Sequence, residues 1–261
     1  MYTLDKVWRL AWAVLTSFVV ESVIFGLSVL PAVLFWEWHI RRLVAANWIR
    51  IVVLSMSLVP AYLLFAVSLM LLSALAMRLL GWRTSANAEL RIADLEWPLL
   101  TWARYAAATH LVRVFAGTLL RATPLWTLYL RLNGARLGRR VFVNSLTLSD
   151  HNLIECGDDV VIGAGVYLSG HTVERGIVRT APIRLGAGVT IGVGSVVGIG
   201  VQVGAHTQVG ALSVVPKHHI LEPDAVYGGV PVHRLDVVEA LRPGPPGVRT
   251  VPGAADARPR S

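Results

Sequence analysis

One cysteine, Cys156, and two lysines, Lys6 and Lys217, occur among 261 residues. A single thiol excludes an intrachain disulfide, and its place among aliphatic residues makes it a core side chain rather than a nucleophile. With so little lysine, the formal net charge of +8 is carried almost wholly by arginine. No helix-turn-helix, zinc or base-stacking pattern accompanies that charge, so anionic lipid head groups account for it and no nucleic-acid partner is expected. All nine tryptophans lie at or before Trp126, while most glycines follow Gly134. The chain therefore holds two regions of unlike chemistry.

In the first region charge is what is missing. From Leu10 to Trp36 only Glu21 is charged, and Ile51 to Met77 carries no charge at all. Each run exceeds the ~20 residues a helix needs to cross a bilayer. Trp8, Trp36, Trp38, Trp48 and Trp82 flank the runs, where an interfacial aromatic belt places them. A cleaved signal peptide does not fit the first run, which is too long and ends without a small-residue cleavage site. Residues 1–98 thus read as an α-helical membrane anchor with two transmembrane helices, at about 10–36 and 51–77, and Glu21 as a carboxylate facing a helix partner. Over 99–136, Arg104, Arg113, Arg121, Arg131 and Arg136 alternate with Trp102, Tyr105, Phe115, Trp126 and Tyr129. This stretch reads as a basic amphipathic linker at the membrane interface, with membrane lipid as a partner. A multi-pass protein of the cell membrane with its second region on the cytoplasmic side follows. The Pro-, Gly-, Ala- and Arg-rich residues 242–261 read as a disordered tail.

The second region is periodic. Leu185, Ile191, Val197, Val203 and Val209 stand six residues apart, each followed by glycine, with Val189, Ser195, Val201, Thr207 and Ser213 four residues after each aliphatic. A period of six fits neither a helix nor an alternating strand, but it fits a triangular coil with one aliphatic per face pointing inward. The glycines are expected at the corners, where φ is positive or backbones approach closely. Cys156, Ile162 and Leu168 continue the pattern upstream in another phase, with a weaker start at Leu137. Two phases meet across the polar segment Gly170–Pro182, bounded by Gly and Pro as an excursion from a solenoid should be. Function on a repeat scaffold usually sits on such an insertion.

Gly170-His171-Thr172, Pro182-Ile183-Arg184-Leu185-Gly186, Val215-Pro216-Lys217 and the run Val226–Arg234 resemble the left-handed β-helix acyltransferases of the hexapeptide-repeat superfamily over 137–235. The run Ala122–Gly138 further resembles the join between membrane helices and β-helix in the carboxy-terminal module of poly-lysine-synthetase-type peptide synthetases. The resemblance implies an all-β left-handed parallel β-helix, a homotrimer with active sites between subunits, and transfer of an acyl group from acetyl-coenzyme A or another acyl-coenzyme A. The acceptor is a small molecule bearing a hydroxyl or amine.

By that resemblance His171 is the general base, a task that suits imidazole because it titrates near neutral pH. Its orienting partner is to be sought among Asp150, Glu155 and Glu174. Backbone N–H groups of the Gly-rich coil are expected to meet charge on the thioester oxygen. Gly192, Ser195, Ser213, Lys217 and Arg234 are the expected coenzyme contacts, Lys217 approaching its phosphates. Val230 replaces the family's usual asparagine before Pro231, and His151-Asn152 replaces a more acidic pattern of the synthetase modules. A zinc β-helix is disfavoured, because Ala211, Leu212 and Ser213 stand where a third ligand should follow His171 and His206. A non-catalytic trimeric membrane scaffold is the alternative function.

Overall fold

The computed structural model describes residues 3–42 and 47–235. The tail expected over 242–261 lies outside the described residues. Helix α1 spans Leu4–Arg42, followed by α2 at Asn47–Met56 and α3 at Leu58–Leu80. Leu4–Arg42 and Asn47–Leu80, the latter taking α2 and α3 together, are long and apolar enough to cross a membrane, and both outrun the expected 10–36 and 51–77. Between α2 and α3 the chain breaks at Ser57, whose hydroxyl bonds the Leu54 carbonyl at 2.7 Å and receives the Trp36 indole N–H at 2.7 Å. Gly81 ends α3 in the left-handed conformation (φ 67°), a station at which a side chain is strained.

Residues 97–132 form a packed helical layer rather than a surface linker: α4 (Trp97–Val112), a π-helical turn (Arg113–Gly117), α5 (Thr118–Leu120) and α6 (Pro124–Leu132). Thr123 caps α6, and Pro124 begins it where a missing N–H costs nothing. The aromatic side chains expected at the membrane turn inward here. Tyr105, Trp126 and Tyr129 are at most 1% exposed and join Leu69, Met70 and Val112 in one core with Val143, Ile162 and Leu168 of the coil. Trp82 likewise departs from the aromatic belt: it is buried beneath the Arg104 guanidinium, 5.2 Å from its ring centroid.

From Arg136 onward the chain winds into a three-sided parallel coil. The first face stacks Arg136–Leu137, Ile154–Cys156, Ile183–Leu185, Gln202–Val203 and Ile220–Leu221. On the second lie Phe142–Val143, Val161–Ile162, Thr190–Ile191, Gln208–Val209 and Val226–Gly228, edged by the antiparallel His233–Arg234. The third carries Leu148–Ser149, Tyr167–Ser169, Val196–Val197 and Val214–Val215. Partners eighteen residues apart (Leu185 with Val203, Ile191 with Val209, Val197 with Val215) make each hexad one side of the triangle. Burying each such aliphatic contributes roughly 1.5–3 kcal/mol. Cys156 is buried among them, and burial pushes its thiol up to about 12, which fits a core residue.

The two roles expected of the glycines fall to different positions. Those following each aliphatic allow close approach: a methyl group on Gly186 would stand 2.6 Å from the Ala205 nitrogen, and one on Gly204 2.3 Å from the Pro223 nitrogen. Positive φ falls instead on Gly188, Gly194 and Gly200 and then on His206, Leu212, His218 and Asp224, one station every six residues.

The excursion is a β-hairpin, His171–Glu174 against Ile177–Thr180, and Glu89–Arg91 from the helical region adds a third antiparallel strand. Cys156 pairs with Leu185, twenty-nine residues on, so the hairpin adds eleven residues to an ordinary coil. The phase change in the sequence is this insertion.

Candidate active site

His171 stands where the chain leaves the third face for the hairpin. Its neighbour Gly170 permits the placement: a methyl group there would lie 2.9 Å from the β-carbons of both Asp150 and Leu153. One coil below, Asp150 adopts the left-handed conformation (φ 54°), tolerated by Asp better than by most residues, and turns into the short 3-10 helix His151–Leu153. Asp150 Oδ2 then reaches His171 Nδ1 at 2.5 Å.

The carboxylate is 3% exposed and its other oxygen is also satisfied. Thr84 Oγ1 donates to Oδ1 at 2.6 Å and Trp102 Nε1 donates at 3.1 Å. A buried carboxylate needs such donors, and three of them fix its orientation. Asn152 supports Thr84 by donating to its carbonyl at 2.8 Å and accepting from its backbone N–H at 3.2 Å. The Trp102 ring stands edge-on to the imidazole with centroids 5.0 Å apart. With Nδ1–H given to Asp150, Nε2 carries the lone pair, and it has no hydrogen-bond partner among the described residues. Thr84 and Trp102 are residues that sequence reasoning did not find, since nothing local in their surroundings marks them as neighbours of residue 150.

His171 opens on a cavity of about 450 Å³ between the coil and the helical layer. Thr147, Ser149 and Tyr167 line it from the coil, and Thr109, His110 and Arg113 from the helices. His151 forms part of the wall, 2% exposed, with Nε2 3.2 Å from the Leu148 carbonyl and Nδ1 unpartnered. Burial pushes its pKa down to about 4, so this ring is neutral. A cavity of similar volume, about 440 Å³, lined by Trp82, Arg83, Asn133 and Arg136, does not include His171.

The other expected site residues disperse. Glu155 lies on the first face between Arg136 and Arg184, each at 3.1 Å, and does not touch His171. Glu174, at the far end of its hairpin strand, contacts Lys217 and lies 3.8 Å from Arg179. Ser195 and Ser213 are corrected by their burial: both are 0% exposed, inside the coil, with hydroxyls donated to the Gly210 and Ala211 carbonyls. They present no surface to a coenzyme. The Gly192 N–H donates to Val209 and the Gly186 and Gly198 N–H groups to Val203 and Val215, so the coil ladder occupies these proposed oxyanion donors. Arg234 pairs with Glu222 at 2.5 Å. Lys217 lies at the same corner as His171, two coils along, which is roughly 10 Å at the usual strand spacing. His206 occupies a different corner, its ring over Gly188.

No family model and no curated protein matches this chain. Among solved structures it is similar to a hexapeptide-repeat-containing acetyltransferase from Vibrio cholerae O1 biovar eltor, complexed with acetyl coenzyme A. That similarity has 29% identity over 39% of this chain and 59% of that chain, with a TM-score of 0.36. A galactoside acetyltransferase in complex with coenzyme A is 22% identical over 51% of this chain and 80% of its own, TM-score 0.40. A maltose O-acetyltransferase from Clostridium difficile 630 is 20% identical over 51% and 86%, TM-score 0.35. The match to the first of these spans less than two thirds of its length.

Proposed function

We propose that this chain is a membrane-anchored acyltransferase that moves an acyl group from acyl-coenzyme A to a hydroxyl or amine, with His171 as general base. The observation that carries the reading is the pairing of the buried Asp150 carboxylate with the half-buried His171, whose unpartnered Nε2 belongs to a side chain lining a cavity large enough for an acceptor. Nε2 takes the proton of the acceptor as its oxygen or nitrogen attacks the thioester carbonyl. Asp150 stabilises the imidazolium that forms and holds the tautomer that makes Nε2 basic. Collapse of the tetrahedral adduct breaks the carbon–sulfur bond, and the leaving thiolate receives the proton back from Nε2. No covalent enzyme intermediate is needed.

The acyl donor lies along the corner that carries His171 and Lys217, Lys217 meeting its phosphates in exchange for Glu174. Helices α1 and α2–α3 anchor the protein in the cell membrane with a left-handed β-helix on the cytoplasmic side. Phe142, Tyr167, Val193 and Leu212, large apolar side chains exposed on the second and third faces and at the corner between them, fit contact with neighbouring copies in a homotrimer.

Calorimetric titration of the detergent-solubilised protein with coenzyme A and acetyl-coenzyme A tests the donor half of this reading. Binding should weaken in Lys217→Ala and survive in His171→Ala. Absence of binding by a well-assembled wild type would sink it and favour a trimeric scaffold.

A further inference from the structure

The wall of the His171 cavity that comes from the helical layer holds an arginine unlike those of the coil. Arg136, Arg139, Arg140 and Arg184 each sit on a carboxylate. Arg113 has no carboxylate partner among the described residues. Its Nη2 lies 2.5 Å from Nδ1 of His110, a second cavity residue, and only part of its donor capacity is used there. A half-buried, unneutralised guanidinium beside a catalytic cavity calls for an anion.

Arg113 also begins the π-helical turn Arg113–Gly117. The next two residues, Val114 and Phe115, are 50% and 38% exposed. Phe115 packs edge-on against Phe25 of α1 at 5.2 Å and Phe65 of α3 at 6.5 Å, and the Tyr62 hydroxyl of α3 donates to its carbonyl at 2.5 Å. Within three residues the surface passes from a cation on the cavity wall to the apolar flank of the membrane helices. Leu119, Leu125 and Leu128 extend the exposed apolar side chains of this layer.

Resting on the acyltransferase reading of His171, we infer that the acceptor is an anionic amphiphile held in the bilayer. Its phosphate or carboxylate head is met by Arg113, its hydroxyl or amine lies at His171 Nε2, and its apolar chain lies along the exposed Val114 and Phe115 on the flank of α1 and α3. The charge at Arg113 selects the head, and the path beside Phe115 lets the substrate reach the base without leaving the membrane.

The test uses the full chain in phosphatidylcholine nanodiscs, with spin-labelled phosphatidylglycerol and spin-labelled phosphatidylcholine as probes and the immobilised fraction of each as readout. Wild type should retain the anionic probe about tenfold over the neutral one, the effect of one charge-assisted hydrogen bond. Arg113→Gln should bring the ratio near one, Arg113→Lys should restore most of it, and Arg140→Gln, at an arginine of the coil outside the cavity, should leave it unchanged. No preference in wild type, or a preference that Arg113→Gln leaves intact, overturns the inference. Displacement of the anionic probe by free glycerol phosphate would assign the site to a soluble phosphate and overturn the membrane-borne acceptor. Coenzyme A binding, measured on the same samples, fails separately if the acyltransferase reading is at fault.

Discussion

The upper coils, from Leu185 to Leu221, and the lower coils, from Arg136 to Ser169, use one architecture with different strictness. Above, partners are eighteen residues apart on each face, and the interior is aliphatic apart from hydroxyls that bond the backbone, as Thr207 bonds the Glu222 carbonyl at 2.6 Å. Below, partners are nineteen apart on two faces (Leu137 with Cys156, Val143 with Ile162) and twenty on the third (Leu148 with Leu168). The extra residues let Asp150 turn out of the repeat and bury its carboxylate beneath Thr84, Trp102 and His171. Strict repetition stabilises the upper coils, and the lower coils give up regularity to hold a polar group that a repeat has no place for. The Asp150–His171 pair lies at the loosened end, where the region before the coil supplies donors the coil lacks.

The sharpest way to break the contrast is at the base itself. His171→Ala should reduce acyl transfer by about 10²- to 10⁴-fold, the range of general base catalysis, while circular dichroism and assembly stay as in wild type. A smaller effect tests the lower coils as a reservoir of buried polarity. Burial holds the folded-state pKa of His151 at about 4, against 6.5 for an unhindered imidazole, so between those values the unfolded chain binds the extra proton. The stabilisation is complete above about pH 6.5 and falls progressively as pH drops towards 4, by up to about 3 kcal/mol. Chemical denaturation across this range should show the slope, and His151→Gln should flatten it.

In the upper coils geometry rather than charge is at risk. Gly204→Ala brings a methyl group 2.3 Å from the Pro223 nitrogen, whereas at Gly210 the nearest atom is 3.5 Å away. The first substitution should cost about 1–3 kcal/mol and lower the melting temperature, and the second should stay within roughly 0.5 kcal/mol. The smallest effect is expected at the outer edge of the site. Thr84→Val leaves Asp150 with the Trp102 and His171 donors and should lower kcat about tenfold with little change in KM, as suits a positioning residue.

The coil was legible in the sequence because its inward aliphatics recur every six residues, and the hairpin because its polar residues interrupt that period. His171 stood out only through the resemblance of its Gly170-His171-Thr172 motif to the hexapeptide-repeat acyltransferases. Which carboxylate meets it was not, since the choice among Asp150, Glu155 and Glu174 depends on which face each occupies. Thr84 and Trp102 carry no local mark, because their role is created by the segment after α3 and by α4, which fold back over residues 150–152. Tyr105, Trp126 and Tyr129 look like membrane aromatics in sequence because composition does not say which side of a helix meets the coil. Ser195 and Ser213 show the same limit at a smaller scale: a hydroxyl at the small position of a hexad looks like a ligand until its backbone acceptor is seen.

The role of His171, held by Asp150, as the base of an acyl transfer is open to direct measurement. Release of coenzyme A thiol from acetyl-coenzyme A by the full chain in native-lipid nanodiscs, compared across wild type, His171→Ala and Asp150→Asn, measures it directly. Wild type should release thiol with matching acylation of lipid, His171→Ala should lose it almost completely, and Asp150→Asn should lose much of it with assembly retained. Release that is equal in all three assembled proteins would contradict that role.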